Sequence, residues 1–276
     1  MYPLDLSEID RFLEEDVGSG DLTAPIVPKH ATARARVITR ESMVLCGQAW
    51  FAAVFARLGG SVQIDWLVTE GEQVEAGAEL CAMRGPARAL LTGERSALNL
   101  LQTLSGTATL ARAYAKAVDG TKAKVLDTRK TIPGLRKAQK YAVRCGGCDN
   151  HRMGLYDGIL IKENHILACG SIEKAVHAAK ALGANVPIEV EVENLDELKQ
   201  ALAVGAERIL LDNFTIAMMR EAVTTTASRA KLEVSGNVTL DTIRQIAETG
   251  VDYISVGALT KNVRATDLSM RISITA

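Results

Sequence analysis

The chain has 276 residues, with 32 Lys and Arg against 33 Asp and Glu, a formal net charge of -1, and 47% hydrophobic residues. That length supports one large domain or two modest ones around a substantial core, and the composition excludes a disordered or collagen-like chain. Near-neutral charge and 4% aromatic residues exclude a protein that coats nucleic acid or an anionic membrane through bulk charge or base stacking.

Met1 to Asp16 carry six acids against one cation, the reverse of a secretory leader, and Leu6, Ile9, Phe12, Leu13 and Val17 recur at helical spacing up to Gly18. An amphipathic helix is expected there. From Ala31 to Pro86 short β-type runs (33–39, 61–67, 79–83) surround an apolar helix over 48–58. The turn-rich stretch from Glu70 to Leu80 is similar to lipoyl and biotinyl carrier hairpins, but Cys81-Ala82-Met83-Arg84-Gly85 offers no lysine to modify, so a structural sandwich is expected. Glu94 to Val118 has helical spacing interrupted by Gly106 and is the expected link between two domains. Beyond Gly120, apolar runs at 124–126, 158–161, 188–192, 208–211, 231–234 and 253–256 alternate with helical patterns at 171–182, 195–204, 216–227 and 240–248. This alternation predicts parallel β/α units.

Chemistry stands at the ends of these runs. Asp127-Thr128-Arg129-Lys130, Lys162-Glu163-Asn164-His165, Glu191, Asp212-Asn213, Ser235-Gly236-Asn237 and Gly257-Ala258 lie at or just past their carboxyl ends, where a parallel barrel collects its active site. Between Lys122 and Lys162 ten cations face three acids, a surplus of seven inside a chain that sums to -1. A small, multiply anionic ligand would be drawn there. Arg129, Lys130 and Lys162 stand at strand ends and suit carboxylates and phosphates, whereas Arg136, Lys137, Lys140 and Arg144 fit a solvated helix face equally well. His151, beside Arg152, is expected at a ligand rather than in the core. Glu191 and Asp212 can bind Mg²⁺ with its retained waters, accept hydrogen bonds from sugar hydroxyls, or stabilise an electron-poor carbon. The small residues at 235–237 and 257–259 let backbone N–H groups approach an anion. Cys145-Gly146-Gly147-Cys148 lacks the second pair that a zinc site needs, and its cysteines are read as small residues. The odd count of five cysteines in a long chain fits a reducing compartment, and the longest apolar stretch, Ala49 to Ala56, is far below the roughly 20 residues of a membrane span. A soluble cytoplasmic protein is expected.

Taken together, these motifs resemble the quinolinate phosphoribosyltransferase family, the type II phosphoribosyltransferases of pyridine-nucleotide (NAD) biosynthesis. The resemblance runs through 15–23, Glu94-Arg95-Ser96-Ala97-Leu98-Asn99, the stretch from Asp127 to Arg136, Asn150-His151-Arg152, 160–165, 189–193, 211–214 and Gly250-Val251-Asp252. Asn237 and Cys148 depart from it, since many members carry glycine at both places. The resemblance implies an α/β fold: an N-terminal α/β sandwich over 1–106, rejoined by the tail 267–276, and an open α/β barrel over 107–266. It implies a pentosyltransferase that converts quinolinate and 5-phosphoribosyl 1-pyrophosphate (PRPP) to nicotinate mononucleotide, pyrophosphate and CO2 with Mg²⁺. It also implies a homodimer in which Arg95 is contributed across the interface. Quinolinate would meet Arg95, Thr128, Arg129, Lys130, His151, Arg152 and Lys162. The ribose and Mg²⁺ would meet Glu191 and Asp212, directly or indirectly, and the 5′-phosphate Ser235, Gly236, Asn237, Gly257, Ala258 and Leu259. Lys130, Lys162, Glu191 and Asp212 would carry the chemistry. Alternatives are a paralogue associated with molybdenum transport and a non-catalytic sensor of phosphorylated sugars.

Overall fold

The computed structural model describes residues 6–275, so the first five residues and the last one lie outside the described residues. Two units separate: 1–112 with 132–147 and 262–276, and 113–131 with 148–261. The segment 132–147 and the C-terminal tail therefore pack with the N-terminal part of the chain.

In the first unit, α1 (Leu6–Val17) buries Ile9 and Leu13 while Leu6 stays exposed. Strand β1 (Thr32–Thr39) alternates as its pattern demands, with Ala33, Ala35 and Val37 buried and Arg34 and Arg36 exposed. After β2 (Met43–Val44) comes α2 (Gln48–Arg57), which buries Phe51, Val54 and Phe55. Strands β3 (Gln63–Trp66), β4 (Gln73–Val74) and β5 (Glu79–Pro86) come next, and Phe51 meets Trp66 edge-on at 5.4 Å. Pairing of β1 with β5 and of β5 with β3 is antiparallel, and the last strand of the chain, Leu268–Thr275, pairs with all eight residues of β1. The sequence places the tail here only through the family resemblance; the structure supplies the register, Thr32 opposite Thr275 and Thr39 opposite Leu268.

Helix α3 (Ala87–Ala117) is continuous through Gly106. The glycine is there for space: a Cβ would collide with the main-chain carbonyl of Arg264. Also in this unit, α4 (Arg136–Cys145) turns Ala138, Gln139, Ala142 and Val143 inward. Of its four cations, Lys137 and Arg144 are exposed and Arg136 is half-buried, but Lys140 is fully buried, so the expected solvated face does not include it.

In the second unit, six strands form one parallel sheet. They are β6 (Lys124–Leu126), β7 (Ile159–Ile161), β8 (Ile188–Val192), β9 (Arg208–Asp212), β10 (Lys231–Ser235) and β11 (Tyr253–Ser255), in the order β6-β11-β10-β9-β8-β7. Between β7 and β8 run α5 (Glu163–Cys169) and α6 (Ile172–Ala181); α7 (Leu195–Ala203), α8 (Ile216–Thr226) and α9 (Ile243–Ala247) follow β8, β9 and β10, and α10 (Ala258–Lys261) follows β11. The expected strand–helix alternation is present, because short apolar runs and apolar residues at a period of 3.6 are local properties of the chain. The helices start where side chains cap them: Ser171 Oγ accepts from Lys174 N–H, Asn194 Oδ1 from Asp196 and Glu197 N–H, and Thr215 Oγ1 from Met218 N–H.

Substituting Gly106→Ala should lower the urea-unfolding free energy by about 2 kcal/mol or more. Helix propensity alone would raise it by about 1 kcal/mol, so the sign of the measured change decides between close backbone approach and propensity.

Candidate active site

Strand pleat sets which side chains meet in the second unit. On β8, Glu189 and Glu191 share a face; on β9, Arg208 and Asp212; on β10, Glu233 and Ser235. At the carboxyl ends, Lys162 Nζ donates to Glu191 Oε2 at 2.6 Å. Ser235 Oγ donates to Asp212 Oδ1 at 2.6 Å, and Asn213 Nδ2 to Asp212 Oδ2 at 2.8 Å. Burial pushes the Glu191 carboxyl up from its ordinary value and the nearby Asp212 charge adds to this, against the opposing pull of Lys162. The structure thus brings Lys162, Glu191, Asp212 and Ser235 into one row on four neighbouring strand ends. A cavity of about 290 Å³ beside Glu191 is lined also by Glu163, Glu193 and Glu197, giving that side an acidic wall.

The opposite sign collects after β6 and before β7. The side chain of Thr128 accepts the Lys130 N–H at 3.0 Å, and Thr260 Oγ1 donates to the Lys130 carbonyl at 2.8 Å, which anchors the Lys130 backbone. A Cβ on Gly257 would lie 3.0 Å from Lys130 Cδ, so the Lys130 side chain passes over the last strand end. Burial, and then the neighbouring Arg129 charge, push the Arg152 guanidinium down from its ordinary value. Two like charges held this close favour a shared anion.

Beyond β10 the chain turns through Gly236 (φ 100°) and Asn237 (φ 50°), and Asn213 (φ 54°) beside them is also left-handed. Asparagine is the non-glycine residue that takes this region most readily, which explains how Asn237 replaces the family's glycine. Gly236 has no such latitude, since a Cβ there would strike Asn213 Oδ1. Ala258 opens α10 after Gly257, but Leu259 is fully buried and its N–H donates to the Val256 carbonyl at 3.4 Å, so it supports the turn from within. Arg95 stands exposed on α3 in the first unit.

One layer down the strands lies a cluster that the motifs do not announce. Arg208 Nε donates to Glu189 Oε1 at 3.0 Å, its Nη2 donates to Glu233 Oε2, and its guanidinium lies 4.5 Å from the Tyr253 ring centroid. His151 Nε2 is 2.9 Å from Glu189 Oε2 and 3.6 Å from Glu233 Oε1. Burial pushes the Glu233 carboxyl up to about 7, aided by repulsion from Glu189 and opposed by His151 and Arg208. Burial also acts upward on Glu189, but hydrogen bonds from His151 and the Glu233 carboxyl and the charges of Arg208 and His151 outweigh it, so Glu189 titrates low. Of the two, Glu233 is the carboxyl that takes up a proton more readily. In the sequence, the strict alternation of acids along Glu189-Val190-Glu191-Val192 is the one signal of this layer. A second contact without a sequence signal lies in the first unit, where the sulfurs of Cys46 and Cys145 and a Glu70 oxygen all lie within 4.8 Å of one another.

Comparison with known proteins agrees along the whole chain. Residues 21–105 match the family model of the quinolinate phosphoribosyl transferase N-terminal domain, and residues 107–271 that of its C-terminal domain. A protein of Mycobacterium leprae named nicotinate-nucleotide pyrophosphorylase (carboxylating) is 43% identical over 269 residues, covering 95% of each chain. A Bacillus subtilis protein named as a probable enzyme of the same kind is 42% identical over 96% of this chain and 92% of its own. The solved nicotinate-nucleotide pyrophosphorylase of Francisella tularensis superposes with a TM-score of 0.94 at 47% identity, covering 98% of both chains.

A Glu233 carboxyl pushed up in this way has a signed consequence for stability. In the folded chain it keeps its proton up to about pH 7 whereas an unfolded carboxyl loses it near pH 4.5. The contribution of this group to stability therefore falls as pH rises through that window. Urea midpoints of Glu233→Gln and the parent, compared from pH 5 to 8, should move in the variant's favour as pH rises; a pH-independent difference would remove the proton from Glu233.

Proposed function

Because the chain belongs to the quinolinate phosphoribosyltransferase family, we propose that it transfers phosphoribosyl from PRPP to quinolinate with decarboxylation, a step of NAD biosynthesis. One arrangement carries this reading beyond family membership. The row of Lys162, Glu191, Asp212 and Ser235 and the neighbouring cations Arg129 and Arg152 lie in one unit. They offer acids for a sugar and cations for a dicarboxylate and a polyphosphate.

Arg129, Lys130, Arg152 and Lys162 receive the carboxylate and pyrophosphate oxygens, with Thr128 and His151 shaping the loops that present them. In a homodimer, Arg95 of one protomer would complete the dicarboxylate site of its partner. The 5′-phosphate is received by the small-residue turns at Ser235, Gly236 and Asn237 and at Gly257 and Ala258, with Leu259 packed beneath. Glu191 and Asp212 accept hydrogen bonds from the ribose hydroxyls and oppose the positive charge that grows on the anomeric carbon as pyrophosphate leaves.

The ring nitrogen of quinolinate then forms the new bond to that carbon. Once quaternised, the ring accepts the electron pair released when the adjacent carboxylate departs as CO2, and the carbon left behind takes up a proton. The donor set fits Mg²⁺: two carboxylates on neighbouring strand ends, with Glu191 pushed up partly by the charge of Asp212. Glu191 and Asp212 would hold the ion through its waters, and it would neutralise the pyrophosphate charge. Among the described residues no helix is long and apolar enough to cross a membrane, which accords with an enzyme of the cytoplasm.

Incubation with quinolinate, PRPP and Mg²⁺ should yield nicotinate mononucleotide, and chelation should abolish the yield until Mg²⁺ is restored. Turnover of nicotinate in place of quinolinate would overturn the reading, and binding without turnover of either would favour a sensor. Lys162→Ala and Glu191→Ala should each lower kcat by on the order of 10²-fold. Mixing inactive Arg95→Ala and Lys162→Ala chains should restore activity through hybrid dimers; none restored, with hybrids formed, would place Arg95 outside the partner's site.

A further inference from the structure

The second unit buries more charge than the proposed transfer uses. Glu233 and Glu189 are 0% and 5% exposed at their side chains, and Arg208 is 25% exposed. A buried ion cluster is weak support for stability, because apolar side chains of similar volume often serve as well. Its geometry indicates another use. Parallel register sets Arg208 of β9 opposite Glu189 of β8 and Lys231 of β10, and the guanidinium spans from Glu189 to Glu233. The outer oxygens of the two carboxylates then converge on one atom, His151 Nε2. Although His151, Glu189 and Glu233 are close enough to ligate a metal, Arg208 already supplies the cation that both carboxylates require.

The other ring nitrogen is engaged as well: His151 Nδ1 accepts the Arg152 backbone N–H at 2.7 Å. A nitrogen that accepts carries no proton, so the ring proton sits on Nε2 and is donated to Glu189. Neither nitrogen is left to donate to a bound carboxylate. The ring instead links the buried cluster to the turn that carries Arg152. That turn is held further by the His151 N–H and Asn150 Nδ2, which donate to the two oxygens of buried Asp127 at 2.9 and 2.6 Å. The guanidinium of Arg152 donates to the Gly158 carbonyl at 2.8 Å.

We propose that Glu189, Glu233 and Arg208 are positioning residues that act through His151 to fix Arg152 for the dicarboxylate substrate, and that His151 is itself a strut and not a donor to that substrate. The proposal rests on the quinolinate reading above for its substrate and on the ring geometry alone for the role of His151.

Two measurements on the full chain test it. The first is nitrogen NMR of protein labelled in its histidine rings, with His151 assigned by difference against His151→Asn. His151 should show the Nε2–H tautomer and keep it when quinolinate saturates the site. The Nδ1–H tautomer, a doubly protonated ring, or a switch of tautomer on binding would overturn the strut role. The second is steady-state kinetics. Glu189→Gln and Arg208→Met should raise KM for quinolinate at least tenfold while KM for PRPP stays within twofold. Glu233→Gln, which keeps the shape of a neutral carboxyl, should raise it less than threefold, and Glu233→Leu should behave like Glu189→Gln. A fall confined to kcat, or an equal rise in both KM values, would overturn the positioning role. If the parent protein does not turn over quinolinate, the functional reading fails, while the tautomer measurement on the parent still decides what His151 does.

Discussion

Arg208 reaches across the face of its own strand to two carboxylates, Glu189 on β8 and Glu233 on β10, and much of the second unit's polar architecture depends on that bridge. Burial and repulsion from Glu189 push Glu233 up, while His151 and Arg208 hold Glu189 low, so the two carboxyls titrate apart, and one buried Glu233 oxygen has no hydrogen-bond partner among the described residues. The arrangement is one pleat below Glu191, Asp212 and Ser235, on the same strands. Residues two apart share a face, so the buried ion cluster and the polar groups at the strand ends are built from the same segments of chain.

Charge in the second unit is sorted by position along those strands. Acids occupy the ends of β8 and β9, cations follow β6 and sit around β7, and small residues follow β10 and β11. A sugar that is electron-poor at one carbon and bears phosphates at both ends needs such an order: acids near the carbon, donors near the phosphates. Within the first unit the physics is different. Its core is apolar, its four-stranded sheet is completed by the C-terminal strand, and α3 passes close enough to the chain at Arg264 that only a glycine fits at 106.

Several features are legible in the sequence because they are local. Short apolar runs, and apolar residues recurring at a period of 3.6, place the six parallel strands and most of the helices between them to within a few residues. The residues just past each strand then single out Lys130, Lys162, Glu191, Asp212 and Ser235. Motif resemblance points to the family from the chain alone. Helix α4 is less legible: four cations among its ten residues suggest a solvated face, yet Lys140 is fully buried.

Sequence by itself therefore determined the element order, the family and the residue types at each strand end, since each depends on neighbours along the chain. Tertiary structure alone decided which side chains meet across strands. Glu189 and Arg208 are 19 residues apart and Arg208 and Glu233 are 25 apart, and nothing local makes them partners. Strand register does, by setting residues from separate β/α units side by side. The contacts of His151 are of the same kind: the fold brings buried Glu189 within hydrogen-bond reach of its Nε2 and the Arg152 main-chain N–H within reach of its Nδ1.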